Sequence, residues 1–419
     1  MDVIKIKGKC ERLDGELGIY SAKNSVLPML ACAIMTSGEV VLKNCKPLSD
    51  IVAMMDIIKF LGGVACFDGD NLHINCENLN YRDIDASLTG KIRSSIFILG
   101  PIIARFRRAQ VSYPGGCDIG LRPIDLHLYG LGKLGVKIEE DNGCICCDGE
   151  NLSGGEISLD FPSVGATENC MMVASLASGT TIIRNCAREP EIVDLANFIN
   201  AVGGKVLGAG RDTIIVEGVK QLHGCVYSPL SDRIVAGTYL TACAMTGGDL
   251  LLRNISPENL FSVIEKLNQA GAKIYYDSVG LRIKSSGKIK SVHKIETQPY
   301  PGFPTDMQPQ ILAMLSVSNG CSVVIENLFE SRFKYTVQLL KMGAKVTVRD
   351  RVAVVKGVKC LHGADVLAQD LRGGASLILA GLVARGETIV RGIEHVDRGY
   401  WEIESALSSV GANIARIRE

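Results

Sequence analysis

Apolar residues at 260, 261, 264 and 267 share one face of a helix over Glu258–Ala270, and an alternating strand over Ala272–Tyr276 follows it. The junction is Ala270-Gly271-Ala272, and a similar glycine-centred tripeptide recurs after apolar helical stretches along the chain. The other instances are Leu61-Gly62-Gly63, Leu134-Gly135-Val136, Val202-Gly203-Gly204, Met342-Gly343-Ala344 and Val410-Gly411-Ala412, and the central glycines are 73, 68, 68, 72 and 68 residues apart. Roughly 24 residues earlier, five of the six repeats carry a turn glycine that opens a strand, as in Ser37-Gly38-Glu39-Val40-Val41-Leu42. The other four begin near Gly179, Gly247, Gly320 and Gly386, and the second repeat lacks one. A more uniformly apolar helix precedes each turn glycine, as in Gln308–Ser318. Each repeat therefore predicts helix, strand, helix, strand, strand. Three such repeats suffice for one α/β domain and six for two. The division is expected near Ser231, giving one domain over residues 22–230 and a second from residues 1–21 plus 231–419.

The charged residues occupy two slots of this repeat. At or just before the apolar helices stand Lys23 with Asn24, Arg93, Gly165, Asp232 with Arg233, Asp306, and Asp370 with Arg372. The loops after the turn strands hold Asp50, Cys117 with Arg122, Glu189, Arg332 and Arg398. Asp50, Asp232 and Ser163 read equally well as helix caps. That explanation fails for Lys23, Arg93, Arg122, Arg332, Arg372 and Arg398, because a cation at a helix N-terminus opposes the helix dipole. Six cations in such places predict a multiply charged anionic ligand, held by guanidinium and backbone N–H groups.

Bulk composition narrows the class of partner. The 419 residues are 47% hydrophobic and 21% charged, the make-up of a well-packed globular protein. Forty-five basic residues balance 45 acidic ones, so the basic excess of a nucleic-acid binder is missing. Residues 1–9 lack the apolar core of a signal peptide, and the stretches Ile96–Ala104 and Leu377–Val383 fall short of the ~20 residues a bilayer requires. A cytoplasmic protein acting on small molecules, away from membranes and nucleic acid, is expected. The 15 cysteines are scattered, as reduced core thiols would be. Cys144-Ile145-Cys146-Cys147 contains a CxxC spacing, but it alternates like a strand and no second ligand pair follows, so no metal site is expected.

One loop breaks the repeat. The second repeat has about four extra residues, which create Ser112-Tyr113-Pro114-Gly115-Gly116-Cys117-Asp118-Ile119-Gly120-Leu121-Arg122-Pro123-Ile124-Asp125-Leu126-His127. Its glycines grant backbone freedom, and the insertion presents a thiol. Neither a GK[ST] phosphate loop nor GxGxxG is present. A Cys117–His127 hydrolytic dyad is the other reading, although His127 falls in the helix that follows.

The run PGGC-x-IG-x-RP-x-D-x-H at Pro114–His127 resembles the signature of the UDP-N-acetylglucosamine 1-carboxyvinyltransferase family. The resemblance extends along the chain through Ala22-Lys23-Asn24-Ser25, Arg93-Ser94-Ser95, Asp160–Thr167, Arg188-Glu189-Pro190-Glu191, Asp232-Arg233-Ile234, Phe303–Asp306, Glu330-Ser331-Arg332-Phe333, Asp370-Leu371-Arg372 and Asp397-Arg398-Gly399-Tyr400. It implies an α/β fold of two inside-out barrel domains, three repeats each, with the active site in the cleft between them. It further implies transfer of the enolpyruvyl group of phosphoenolpyruvate to the 3-hydroxyl of UDP-N-acetylglucosamine, the first committed step of peptidoglycan synthesis, with no cofactor or metal. Cys117 would then be the proton donor and Asp306 the base. Lys23, Arg122 and Arg398 would hold the phosphoenolpyruvate phosphate, with Arg332 and Arg372 nearby. The nucleotide sugar would meet Asn24, Arg93, Arg122 with Pro123, Ile124, Asp125 and Leu126, then Ser163, Val164, Gly165, Asp306, Leu328 and the Asp370 segment. A cysteine at 117 implies alkylation by the epoxide fosfomycin. The alternatives are a shikimate 3-phosphate enolpyruvyl transferase and a non-catalytic UDP-sugar-binding paralogue.

Overall fold

The computed structural model describes residues 2–10, 12–90, 93–113, 115, 119–120, 123–141 and 143–418, Arg93 by its backbone alone. Among them, the repeat emerges as six separate sheets built to one plan. In repeat four, the helix Arg233–Thr246 leads into the strand Gly248–Arg253. The helix Phe261–Gln269 and the hairpin Lys273–Tyr276 with Leu281–Ser285 follow. The hairpin pairs antiparallel onto Gly248–Arg253, and a parallel strand, Leu13–Gly18, lines its other side. Repeats one, three and five show the same four-strand order, with Leu222–Tyr227, Glu156–Ser158 and Lys294–Glu296 as the parallel edges.

Two repeats depart from the plan. In the sixth, Asp2–Lys7 enters between Glu387–Arg391 and Ile414–Arg418, completing with N-terminal residues a hairpin that the C-terminal repeat half-builds. In the second, the sheet has three strands and the parallel edge shrinks to a single bridge between Ile84 and Val111.

Glycine explains the punctuation. All six tripeptide glycines, Gly62, Gly135, Gly203, Gly271, Gly343 and Gly411, have φ between 86° and 110°, the left-handed region that ends a helix and that other residues adopt at a cost. The turn glycines Gly38, Gly179, Gly247, Gly320 and Gly386 are likewise at positive φ. The repeat without a turn glycine uses Arg107 instead, at φ 60° directly after the helix Leu99–Phe106.

The described residues form two compact units, one from 21–115 and 123–230, the other from 2–20, 119–120 and 231–418. Each has three sheets. In the second, the helices Arg233–Thr246, Gln308–Leu315 and Leu371–Val383 pack against one another and are buried on every side. Helices apolar all round belong at the centre, with the amphipathic sheets outside. This is the inside-out arrangement. Among the described residues the three sheets of each unit stay separately hydrogen-bonded around their helices, so the barrel is an open one.

The Cys144–Asp148 strand settles the CxxC spacing. It pairs with Arg108–Ser112 and Lys137–Asp141, and residues three apart on a strand face opposite sides, so Cys144 and Cys147 share no site. Among the described residues, the 14 cysteines are free thiols and no cluster of metal ligands forms. No described helix is long and apolar enough to cross a membrane.

Candidate active site

In the unit holding residues 21–230, Lys23 is the first residue of the helix Lys23–Ala33. Its cost at that position is offset by Asp50, whose Oδ2 accepts from Lys23 Nζ at 3.0 Å with both groups buried. Asp50 is therefore no helix cap: it lies in the first turn of Ser49–Phe60, where Leu48 is the capping residue. Ser163 does cap its helix, its Oγ accepting from Ala166 N–H at 3.4 Å. Asn24, Val164 and Gly165 are half-buried at the starts of these helices. Pro123 and Ile124 lead into Asp125–Lys133, of which Asp125 and Leu126 begin the first turn. The N–H groups of such a turn have no helical acceptor and suit an anion.

His127 is a structural residue. It is buried in that helix, and Asn169 Nδ2 donates to its Nδ1 at 3.0 Å. Asn169 Oδ1 accepts from Gly100 N–H, which identifies Nδ2 as the donor and leaves Nδ1 unprotonated. Gly165 gives this ring its room, since a Cβ there would lie 3.0 Å from Cε1 and Nε2. Cys117 and Arg122 lie outside the described residues, as does the Arg93 side chain.

The other unit contains a cluster of charge. Asp306 sits in the turn Thr305–Met307 ahead of Gln308–Leu315. Its Oδ1 accepts from Arg332 Nη2 at 3.1 Å. Its Oδ2 accepts from Arg372 Nη2 at 3.0 Å and Nε at 3.2 Å. Arg372 begins the helix Leu371–Val383, whose cap is Asp370; the Asp370 carboxylate accepts from Arg372 and Gly373 N–H. Asp232 caps Arg233–Thr246 in the same manner. The Arg332 and Arg372 side chains are 3% exposed, while Asp306 keeps 30%.

Two guanidiniums flank the one carboxylate, and Asp232 adds negative charge near Arg372. Two of their donors, Arg332 Nε and Arg372 Nη1, are buried without a hydrogen-bond partner among the described residues. Each such orphan costs about 1–3 kcal/mol. An anion would satisfy both.

Arg398 is half-buried in the same unit, and its neighbours in sequence are braced. The hydroxyl of Tyr20 donates to Gly399 O at 3.2 Å and accepts from Trp401 N–H at 3.0 Å. The carboxylate of Asp397 is taken by Arg416 at 2.6 and 3.0 Å. Tyr400 lies under the Arg372 guanidinium, 5.3 Å from ring centre to Cζ, and its hydroxyl joins Thr238 and Gln310. Ile119, in this same unit, accepts from Ser331 N–H. Leu328 is half-buried, its N–H donating to Glu326.

Sequence reasoning missed Tyr20 and Glu326 as supports of the site, and quoted Tyr400 only as part of a motif. A buried tyrosine hydroxyl and a strand-end glutamate carry no local signature.

Six helix–sheet repeats in two units are the fold of the enolpyruvyl transferases. The profile of the family described as EPSP synthase (3-phosphoshikimate 1-carboxyvinyltransferase) matches residues 7–407. The chain belongs to that family, and within it to the UDP-N-acetylglucosamine 1-carboxyvinyltransferases. It is 50% identical over 417 residues, all of both chains, to UDP-N-acetylglucosamine 1-carboxyvinyltransferase 2 of Caldanaerobacter subterraneus subsp. tengcongensis. It is 48% identical to UDP-N-acetylglucosamine 1-carboxyvinyltransferase 1 of Carboxydothermus hydrogenoformans, over 97% of this chain and 96% of the relative. The fold matches the enolpyruvyl transferase NikO from Streptomyces tendae with a TM-score of 0.88 at 22% identity, covering 99% of this chain and 98% of that one. It also matches EPSP synthase from Acinetobacter baumannii with a TM-score of 0.78 at 16% identity, over the whole of both chains.

Proposed function

We propose that this protein transfers the enolpyruvyl group of phosphoenolpyruvate to the 3-hydroxyl of UDP-N-acetylglucosamine and releases phosphate, the first committed step of peptidoglycan synthesis. The observation that carries the reading is the buried Arg332–Asp306–Arg372 cluster with its two unpartnered donors. Full-length identity of 45–50% to several proteins named for this acceptor favours the nucleotide sugar over shikimate 3-phosphate.

The chemistry follows from the groups present. The sugar oxygen bonds to C2 of phosphoenolpyruvate, its proton goes to a base, and C3 takes a proton from an acid. Loss of a proton from C3 and of phosphate from C2 then restores the double bond. Asp306 is the base for the hydroxyl and Cys117 the acid for C3. Lys23, Arg122 and Arg398 neutralise the phosphate, with Arg332 and Arg372 on the anionic substrate. A carboxylate shared by two guanidiniums is a poor base, so the incoming anion has a second task. Its negative charge, set against Arg332 Nε and Arg372 Nη1, offsets that of the guanidiniums and so favours proton uptake by Asp306. Asn24, Arg93, the Pro123–Leu126 segment, Ser163, Val164, Gly165 and Leu328 hold the nucleotide sugar, with Asp370 fixing the Arg372 backbone. In this reading both units contribute to catalysis, and the protein works in the cytoplasm, where reduced thiols persist.

Mass spectrometry of the sugar nucleotide after incubation with phosphoenolpyruvate tests the assignment. An enolpyruvyl adduct on the sugar, absent with Asp306→Asn, is the expected result. Unmodified nucleotide sugar with the wild-type protein would leave a non-catalytic UDP-sugar binder.

A further inference from the structure

Glu326 directly follows the strand Cys321–Ile325 and is 0% exposed, yet no lysine or arginine pairs with it among the described residues. Four neutral donors satisfy it instead. Its Oε1 accepts from Thr297 Oγ1 at 2.9 Å, Leu328 N–H at 2.9 Å and Phe329 N–H at 3.2 Å. Its Oε2 accepts from Thr305 Oγ1 at 3.0 Å. A carboxylate accepts at both ends, whereas a glutamine amide would keep the three donors at Oε1 and reverse the bond to the Thr305 hydroxyl.

The donors come from segments that carry site residues. Thr305 immediately precedes Asp306, and its carbonyl accepts from Arg332 Nη2 at 3.2 Å. Thr305 is therefore gripped by its side chain through Glu326 and by its backbone through Arg332. Leu328 stands in the predicted nucleotide-sugar pocket, four residues before Arg332. One buried carboxylate thus ties the turn of the base to the segment that meets the acceptor. A fully buried carboxylate with no ion-pair partner among the described residues is costly in a purely architectural role, for which an apolar residue would serve.

We infer that Glu326 is a positioning residue for the transfer reaction: through Thr305 it orients Asp306, and through Leu328 and Phe329 it shapes the acceptor side of the site. The inference rests on the reaction proposed above. Misplacing a reacting group by about 1 Å can cost on the order of 100-fold in rate, so a lost hydroxyl contact should be visible in turnover.

Thr305 offers the clean test, because valine copies its shape without the hydroxyl and serine keeps the hydroxyl. Wild type, Thr305→Val, Thr305→Ser and Glu326→Gln are compared for kcat and for KM of each substrate, per folded protein. Thr305→Val is expected to lose about tenfold or more in kcat, with KM for phosphoenolpyruvate within about twofold and serine restoring most of the rate. Glu326→Gln should lower kcat as well, because it reverses the bond to the Thr305 hydroxyl. If the glutamine variant does not fold, the Thr305 pair carries the test alone. Equal kcat for Thr305→Val, Thr305→Ser and wild type would overturn the inference while leaving the reaction in place. A wild-type protein with no turnover would overturn both.

Discussion

Asp306 and Arg372 meet end to end, with Oδ2 of the carboxylate accepting from both Nε and Nη2 of the guanidinium at 3.2 and 3.0 Å. The fork geometry matters because Arg372 must hold Asp306 and also offer its remaining donor to an anion. Lysine, a point charge with a shorter reach, cannot do both. Arg372→Lys is predicted to lower kcat/KM for phosphoenolpyruvate about 100-fold or more, which steady-state kinetics would show. A change of less than about threefold would remove Arg372 from the site.

Cys117 is expected to be the acid, and a thiol poised for proton transfer is also a nucleophile. Treatment with fosfomycin should add one equivalent, located at Cys117 by peptide mass spectrometry, and should abolish turnover. Cys117→Asp should keep an acid, retain measurable turnover and resist the epoxide. The buried thiols are a poor target: burial pushes Cys45, Cys76, Cys170 and Cys243 up to about 12. Full activity after labelling at Cys117 would contradict its role.

Glu168 is 1% exposed on the helix Val164–Ala174, and its Oε2 has no hydrogen-bond partner among the described residues. Burial, then the nearby charges of Glu191 and Glu189, raise its pKa well above the ordinary 4.5. The folded form therefore keeps a proton that the unfolded chain releases near 4.5. Its contribution is intact below that value and is lost as pH rises. Glu168→Gln, neutral and of equal size, should melt higher than wild type at neutral pH, with the gap narrowing toward about pH 5. A gap that does not change with pH would contradict this assignment.

Two glycines separate strain from flexibility. Gly271 has φ 102°, and a Cβ there would touch nothing closer than 3.7 Å. Gly271→Ala therefore tests backbone strain alone, about 1–2 kcal/mol, or roughly 2–8 °C off the melting temperature of a unit this size. Gly132 lies in the helix Asp125–Lys133 with open space around its Cα. Gly132→Ala should stabilise by about 1 kcal/mol at most. The two changes should have opposite signs in a thermal melt.

How far the chain could be read from its residues depended on whether the cause was local. Helix-ending glycines need positive φ, so Gly62 through Gly411 announced the six repeats. Arg107 hid the matching turn of the second repeat, because nothing in an arginine signals a left-handed backbone. The pairing of Asp2–Lys7 with Ile414–Arg418 was also invisible, since strand partners at opposite ends of the chain leave no local trace. At the site, Arg372 was found because a cation at a helix start is anomalous, and Arg332 by the same rule although the helix that follows it begins only at Thr336. Their shared grip on Asp306 is tertiary. Glu326 escaped notice for the same reason: at the end of an alternating strand it reads as a surface residue, and only packing buries it. Asp50 was half-read as a cap, when its carboxylate serves Lys23 instead.

Phosphate release from phosphoenolpyruvate, measured with UDP-N-acetylglucosamine and in parallel with shikimate 3-phosphate, for wild type and Cys117→Ala, tests the central claim most directly. Release with the nucleotide sugar alone, lost in the variant, is the predicted result. Release with shikimate 3-phosphate, or with neither acceptor, would contradict it.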